Sequence, residues 1–308
     1  MGHQVTLDDG NTLYLGFTPV VCEDAPTLVH VTIDVLQKLS DCYSDQISQP
    51  SEQILKTILS KITTTMSDRA AVMKSFGSKF ADFITSETGQ EHQVHFLHCN
   101  AHFLLGLSTA CEKAIASIER DLKEKNGEQI GRDKDGAFSR FSLDNETATN
   151  RVIRTTCDVL GPRGDQKNGY REEWIVFCGN SMIPSFKSNR FNCFFLAAAA
   201  IIHHLHKIKA FSTNVLPDNV NLKMKSVSCD VHDDDLMACL CAIALLYLKI
   251  TGPYWKLLTS GKVMYCDFHV YVKMLHSSLL KSSSDPSELM CPGFKSVFGE
   301  DFDLKSDV

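Results

Sequence analysis

Apolar residues recur along this chain at two different periods, and the shift between them marks out its elements. Near the start, "HQVTLDDGNTLYLGFTPVV" sets two β-rich runs on either side of Asp8-Asp9-Gly10-Asn11. Those four residues tolerate the positive φ of a tight turn, so the stretch predicts a hairpin. From 25 to 44 the period becomes helical, with Leu28, Val31, Val35 and Leu39 three or four apart. A polar break, "SDQISQPSEQ", leads to Ile- and Thr-rich residues that predict a short strand around 60–65, ending near Ser67-Asp68. Helical spacing returns over 69–85, where Val72, Phe76, Phe80 and Phe83 share a face. "HQVHFLHC" (92–99) reads as a buried strand and 100–125 as a long helix. The order β-β-α-β-α-β-α predicts an α/β arrangement with a mixed sheet over residues 1–125.

Beyond residue 125 strand-like alternation gives way to helical runs. "KNGEQIGRDKDGAF" reads as a polar, glycine-punctuated loop, and helical patterns follow at 145–160, 190–210, 233–249 and 263–281. Gly/Pro breaks are expected at 161–169 and at 252–253. Residues 126–285 therefore read as a helical domain and 286–308 as a loosely ordered acidic tail, with helix dominating the whole.

Composition adds a setting. The 308 residues are 44% apolar, enough for a sizeable core, and 31 basic against 37 acidic residues give a net charge of −6. Nonspecific nucleic-acid binding needs clustered Lys and Arg, and no block of five to eight such residues occurs. The first residues lack the charged and apolar regions of a secretory signal. The most apolar windows, 193–202 and 236–250, fall short of the ~18 residues a membrane span needs, so no membrane partner is expected. Twelve Cys are scattered through the chain, several in apolar runs (Cys178, Cys193, Cys239, Cys241), as reduced thiols of a soluble intracellular protein would be.

Four residues stand out chemically. Asp68 follows a predicted strand, where α/β folds place their sites. It suits either a divalent metal or the capping of helix 69–85, and spacing favours the cap. Cys99 and His102 stand one helical turn apart in "VHFLHCNAHFLLGL". They read as half of a metal site or as a buried thiol and a hydrogen-bonded imidazole. Trp255, in "KITGPYWKLL", could stack on a base, although packing between helices is the simpler role. "HHLHKIK" (203–209) reads as a solvated helix end. "CDVHDDD" (229–235) reads as first-turn acids of helix 233–249.

Taken in order, "LYLGF", "MSDRAAVMKSF" and "HCNAHFLLGL" resemble transposases of the hAT type and proteins derived from them. "SNRFNCFFLAAAAIIHHL" (188–205) and "CAIALLYLKITGPYWKLLTS" (241–260) are similar to helices of that family's insertion domain. Asn189-Arg190-Phe191-Asn192 stands where better-studied members carry an "RWNS"-like element. The resemblance implies a partial ribonuclease-H-like core over 1–125, and DNA cleavage and transfer by three carboxylates holding two Mg²⁺ or Mn²⁺ ions. Asp68 matches the second carboxylate, and Cys99 and His102 match a Cys-x-x-His pair. The first belongs to a strand preceding the hairpin, and the sequence begins inside or just after that strand. The third, a Glu, follows the insertion; Glu288 and Glu300 lie in the tail without a helical core context. One carboxylate of three implies a catalytically inactive protein, with DNA or a second copy of the chain as partners, unless flanking sequence or a partner chain supplies the others. The competing expectation is a helical scaffold or adaptor unrelated to nucleic acid.

Overall fold

The computed structural model describes residues 1–68, 70–89, 93–127, 129–141, 146–165, 167–187, 190–216, 220–290 and 296–299. Helix dominates, and the strand component is small and mixed in direction. Two compact units result, Met1–His102 and Phe103–Val308, divided at the first residue of the long helix rather than near its end.

In the first unit, β1 (Gly2–Thr6) and β2 (Thr12–Phe17) form an antiparallel hairpin. The turn is the expected one: the Leu7 amide donates to the Asn11 carbonyl at 2.8 Å, and Gly10 takes φ 83°, which a side chain would strain. α1 (Ala25–Ile47) starts where the Asp24 carboxylate accepts the Thr27 amide at 2.8 Å. It turns back through Ser48 into α2 (Ser51–Lys61), a helix where the sequence predicts a polar break and the approach to a strand. Ile54, Leu55 and Leu59 are the buried face of α2, and Pro50 with Glu52 marks its start.

β3 (Thr64–Ser67) pairs in parallel with β4 (His95–His98), connected through α3 (Ala71–Thr88). Leu28 and Leu36 of α1, Leu55 and Leu59 of α2, and Phe76, Phe80 and Ile84 of α3 close one core. Phe76 and Phe80, one turn apart, stack at 5.4 Å. The His3 ring hydrogen-bonds the Thr32 hydroxyl at 3.1 Å and ties the hairpin to α1.

α4 (His102–Asn126) leads into the second unit. There α5 (Ala148–Leu160), α6 (Tyr170–Cys178), α7 (Cys193–His203), α8 (Leu205–Ala210), α9 (Leu222–Val231) and α10 (Asp234–Leu246) surround a large core. α7 packs chiefly on α10, and its buried run Ala197–Ala200 lets the two backbones approach closely. The expected break at Gly252-Pro253 does not occur. A π-turn, Tyr247–Thr251, joins α10 to α11 (Gly252–Thr259), so the proline sits in a first helical turn where its missing N–H is harmless. The Lys249 carbonyl, four residues before Pro253, accepts the Val297 amide at 3.1 Å instead.

The joined helix Asp234–Thr259 spans 26 residues, beyond the apolar window expected at 236–250, and is long and apolar enough to cross a bilayer. Of its most apolar stretch, 67% is buried inside the protein, as in a core helix. α12 (Phe268–Ser284) and α13 (Ser287–Met290) complete the described helices. The tail is only partly as expected: Glu288 pairs with Lys281 at 2.6 Å, and Phe298 is buried. Glu300 lies outside the described residues.

Candidate functional site

Parallel pairing carries two of the singled-out residues to the same edge. Ser67 faces His98 in register, so Asp68 and Cys99 leave the strands side by side at their C-terminal ends. The Cys99 amide donates to the Ser67 carbonyl at 2.8 Å, and the His102 amide donates to the Cys99 carbonyl at 3.2 Å as α4 begins. Asp68 is half-buried, and its Oδ1 accepts the Ala70 amide at 3.0 Å. This is a local turn bond and not the helix cap that spacing favours: α3 begins at Ala71, and its N-cap position is Ala70, with no side-chain cap.

Beside this edge lies a depression of about 220 Å³, lined by Thr65, Ser67, Met73, Lys74, Phe96 and His98 among others. Pockets for drug-sized ligands occupy roughly 300–1,000 Å³, so the depression is undersized for one. Among the described residues, no group of three or more His, Cys, Asp or Glu is placed to hold a metal ion. Asp68, Cys99 and His102 thus share an edge, yet the donor set does not fit the two-ion site the family resemblance implies.

Trp255 is half-buried in α11, its ring 6.1 Å from Phe191, where it packs inside the protein. Asn189, part of the "RWNS"-like element, lies outside the described residues.

The best-developed polar constellation lies in the second unit, among residues whose sequence pattern points to no site. Arg151 of α5 forks onto Asp230 of α9, Nη2 to Oδ1 at 2.7 Å and Nε to Oδ2 at 3.1 Å. Its Nη1 reaches both oxygens of Asp133 at 3.0 and 3.1 Å. Residues 130–133, part of the stretch expected as a polar, glycine-punctuated loop, fold inward to meet this pair. The Arg132 amide donates to Asp230 and the Gly131 amide to Asp233, each at 2.8 Å. Gly131 has φ 60°, and a Cβ there would collide with Asp230 Oδ1. Burial pushes the Asp230 carboxyl upward, while Arg151, Arg132 and the Arg132 amide pull it back.

The expected first-turn acids are in place: Asp233 caps α10 by accepting the Leu236 amide at 2.9 Å, with Asp234 and Asp235 behind it. Glu119, on α4, caps α5 from outside by accepting the Ala148 and Thr149 amides at 2.8 Å each. Asp230, Asp233 and Arg151 thus hold the 130–133 turn, α5, α9 and α10 together as a buried clasp.

"HHLHKIK" also departs from expectation. His203 and His206 are exposed, but His204 is 3% exposed at the junction of α7 and α8. Its Nε2 accepts the Met182 amide at 3.0 Å, which leaves Nδ1–H to face Cys178 Sγ at 3.7 Å. The thiol in turn donates to the Asn180 carbonyl at 3.3 Å. Burial, helped by His203 and Lys207, lowers the imidazole pKa to about 4, and burial raises that of the Cys178 thiol. An imidazole committed to a backbone amide cannot act as base toward the thiol, so this pair secures the chain after α6 and is no nucleophile. Burial likewise raises the pKa of the Cys111, Cys157, Cys193, Cys239 and Cys241 thiols and keeps them protonated.

No protein-family model, curated protein or solved structure matches this chain.

Proposed function

We propose that this chain is a transposase-derived protein: a partial ribonuclease-H-like core followed by a helical domain, inactive as a nuclease and retaining a role in binding DNA or protein. The observation that supports it most is the parallel β3–β4 pair. It delivers Asp68 and Cys99 to one edge, and a helical unit begins directly after Cys99-x-x-His102. The single mixed sheet expected over 1–125 is not formed: among the described residues the hairpin and the β3–β4 pair are separate two-stranded sheets. Free thiols throughout the described residues fit an intracellular setting.

Activity is a separate matter. Two-metal cleavage needs carboxylates on both sides of the ions, and Asp68 alone cannot supply them. The test is cleavage of supercoiled and linear DNA by the full chain with Mg²⁺ or Mn²⁺. No cleavage above buffer is expected. Robust cleavage that disappears in Asp68→Ala would overturn the inactive reading.

The alternative, a helical scaffold or adaptor, draws on one feature: Val176 of α6 is 86% exposed between the exposed Ile175 and Phe177. Binding to duplex and single-stranded DNA across a salt series separates the two. Salt-sensitive binding favours the first reading, and no binding even at low salt favours the scaffold.

A further inference from the structure

The hairpin β1–β2 turns a pair of aromatic rings outward. Tyr14 stands opposite Gln4 and Phe17 opposite Gly2 in the register, and Gln4 and Gly2 share a face of β1. On a regular strand Tyr14 and Phe17 would point to opposite sides. The register shift between His3 and Gln4 leaves Leu15 as a surplus residue, which packs on the core of the first unit and brings both rings to the outer face. There they stand about 7 Å apart along the strand. Tyr14 is 81% and Phe17 92% exposed, and the Phe17 ring lies across Gly2, where a Cβ would come within 2.7 Å of it.

The edge beside the rings is open. The Leu7 amide donates to the Asn11 carbonyl and the Thr18 amide to the Met1 carbonyl. Antiparallel alternation then turns the amides and carbonyls of Thr12, Tyr14 and Phe17 away from β1. Among the described residues no further strand pairs with β2, and residues 12–17 contain none of the Lys, Arg or Pro that commonly guard an edge. On the inner face Leu13 is left 45% exposed.

Charge decides what such a surface can take. Residues 1–37 hold no Lys or Arg and five carboxylates, Asp8, Asp9, Glu23, Asp24 and Asp34, all exposed. The Met1 ammonium is taken by the Thr18 carbonyl at 2.7 Å. A second copy of the chain would bring the same acids to the contact, and nucleic acid or an anionic lipid surface would bring phosphates. A cationic segment meets the charge, the rings and the edge together.

We propose that β2 docks an extended segment of another protein in which Lys or Arg alternates with apolar residues. The segment pairs as a third strand along Thr12–Phe17. Its cations lie over the rings of Tyr14 and Phe17, and its apolar side chains cover Leu13. The inference goes beyond the proposed ancestry and does not depend on it.

A fluorescent, end-capped peptide of alternating Lys and Val is titrated into the full chain, followed by anisotropy, beside its Glu-Val counterpart. The same titrations use the Tyr14→Ala/Phe17→Ala double variant and Thr12→Pro, which removes an outward amide and leaves the rings; circular dichroism verifies folding. The cationic peptide is expected to bind the unaltered chain, about tenfold more weakly to each variant, and the anionic peptide not at all. No binding of the cationic peptide, equal affinity for both peptides, or undiminished affinity in either folded variant would overturn the proposal. So would a dimer of the unaltered chain, seen by sedimentation, that the double variant abolishes, since it would assign the face to a second copy.

Discussion

Residues 1–102 and 103–308 reach a folded state by different means. Of the 31 basic and 37 acidic residues, 6 and 12 fall in the first stretch, leaving 25 of each for the second. The first unit relies on one apolar cluster among three helices, while Tyr14, Phe17 and Met66 on its strands stay more than half exposed. The second buries charge on purpose: Arg151, Asp230 and Glu119 are each about 5% exposed or less, and all are hydrogen-bonded. Apolar contact alone tolerates many arrangements, whereas a buried ion pair tolerates few. The contrast predicts that the second unit is brittle to single polar substitutions and the first only to loss of apolar volume.

Arg151→Leu should show the largest effect, because it strands Asp230 and Asp133 without their cation. A loss of about 3–5 kcal/mol is expected. Native-state hydrogen exchange should report it in α5 and α9 and leave α1–α3 unchanged. Combining it with Asp230→Leu should recover part of the loss; no recovery would mean that the ion pair is not what the clasp depends on.

Phe80→Ala is the counterpart in the first unit. Phe80 is 2% exposed, and about 3–5 kcal/mol should be lost, visible in α1–α3 and absent from α5–α10. Equal loss of protection in both halves would abolish the distinction drawn above.

Glu119→Ala should cost about 2–3 kcal/mol by leaving the Ala148 and Thr149 amides buried without an acceptor. Exchange at those two amides is the direct measurement.

His204 sharpens the comparison through pH. Its native pKa, about 4, lies below the ordinary 6.5, so between those values the unfolded chain binds a proton that the native one does not. The stabilisation is present in full above pH ~6.5 and fades as pH falls toward 4, a drop on the order of 2 kcal/mol. In His204→Gln, denaturant midpoints should lose that pH slope; an unchanged slope would assign it to other groups. Smallest of all, Asp68→Ala should cost at most about 0.5 kcal/mol through the Ala70 amide, read as a slight shift of the unfolding midpoint.

Much of the first unit could be read from its residues. The Asp8–Asn11 turn, the Asp24-capped helix and the phenylalanine face of α3 announce themselves locally; a strand before Cys99 does too, but β4 is not the buried strand expected over 92–99, since His95 and Phe96 are exposed. α2 was obscured because "SDQISQPSEQ" looks like a linker, although its second half is a helix start: Pro50 and Glu52, then Ile54, Leu55 and Leu59 on one face. The clasp was illegible for another reason. Gly131, Arg132 and Asp133 read as solvated when taken alone, and only Asp230, 98 residues beyond Arg132, turns them inward. Arg151 held the one local hint, a guanidinium amid the apolar positions Val152 and Ile153 of a helix buried nearly all round. Asp68 could be placed at a sheet edge from sequence, and the family resemblance already left it the one matching carboxylate; the parallel register that sets Cys99 beside it is a fact of three dimensions.

The π-turn at Tyr247–Thr251 amounts to one surplus residue within an otherwise regular helix. At 3.6 residues per turn, one residue displaces everything downstream by about 100° around the axis. α10 and α11 therefore present their apolar stripes in different phases: a single helical wheel drawn over 236–258 puts Leu240 and Tyr254, 14 residues apart, about 40° from each other, whereas the surplus residue sets them roughly 140° apart. Deleting one residue there would rotate Tyr254 away from Phe268 and Phe298 while leaving α10 seated on α7.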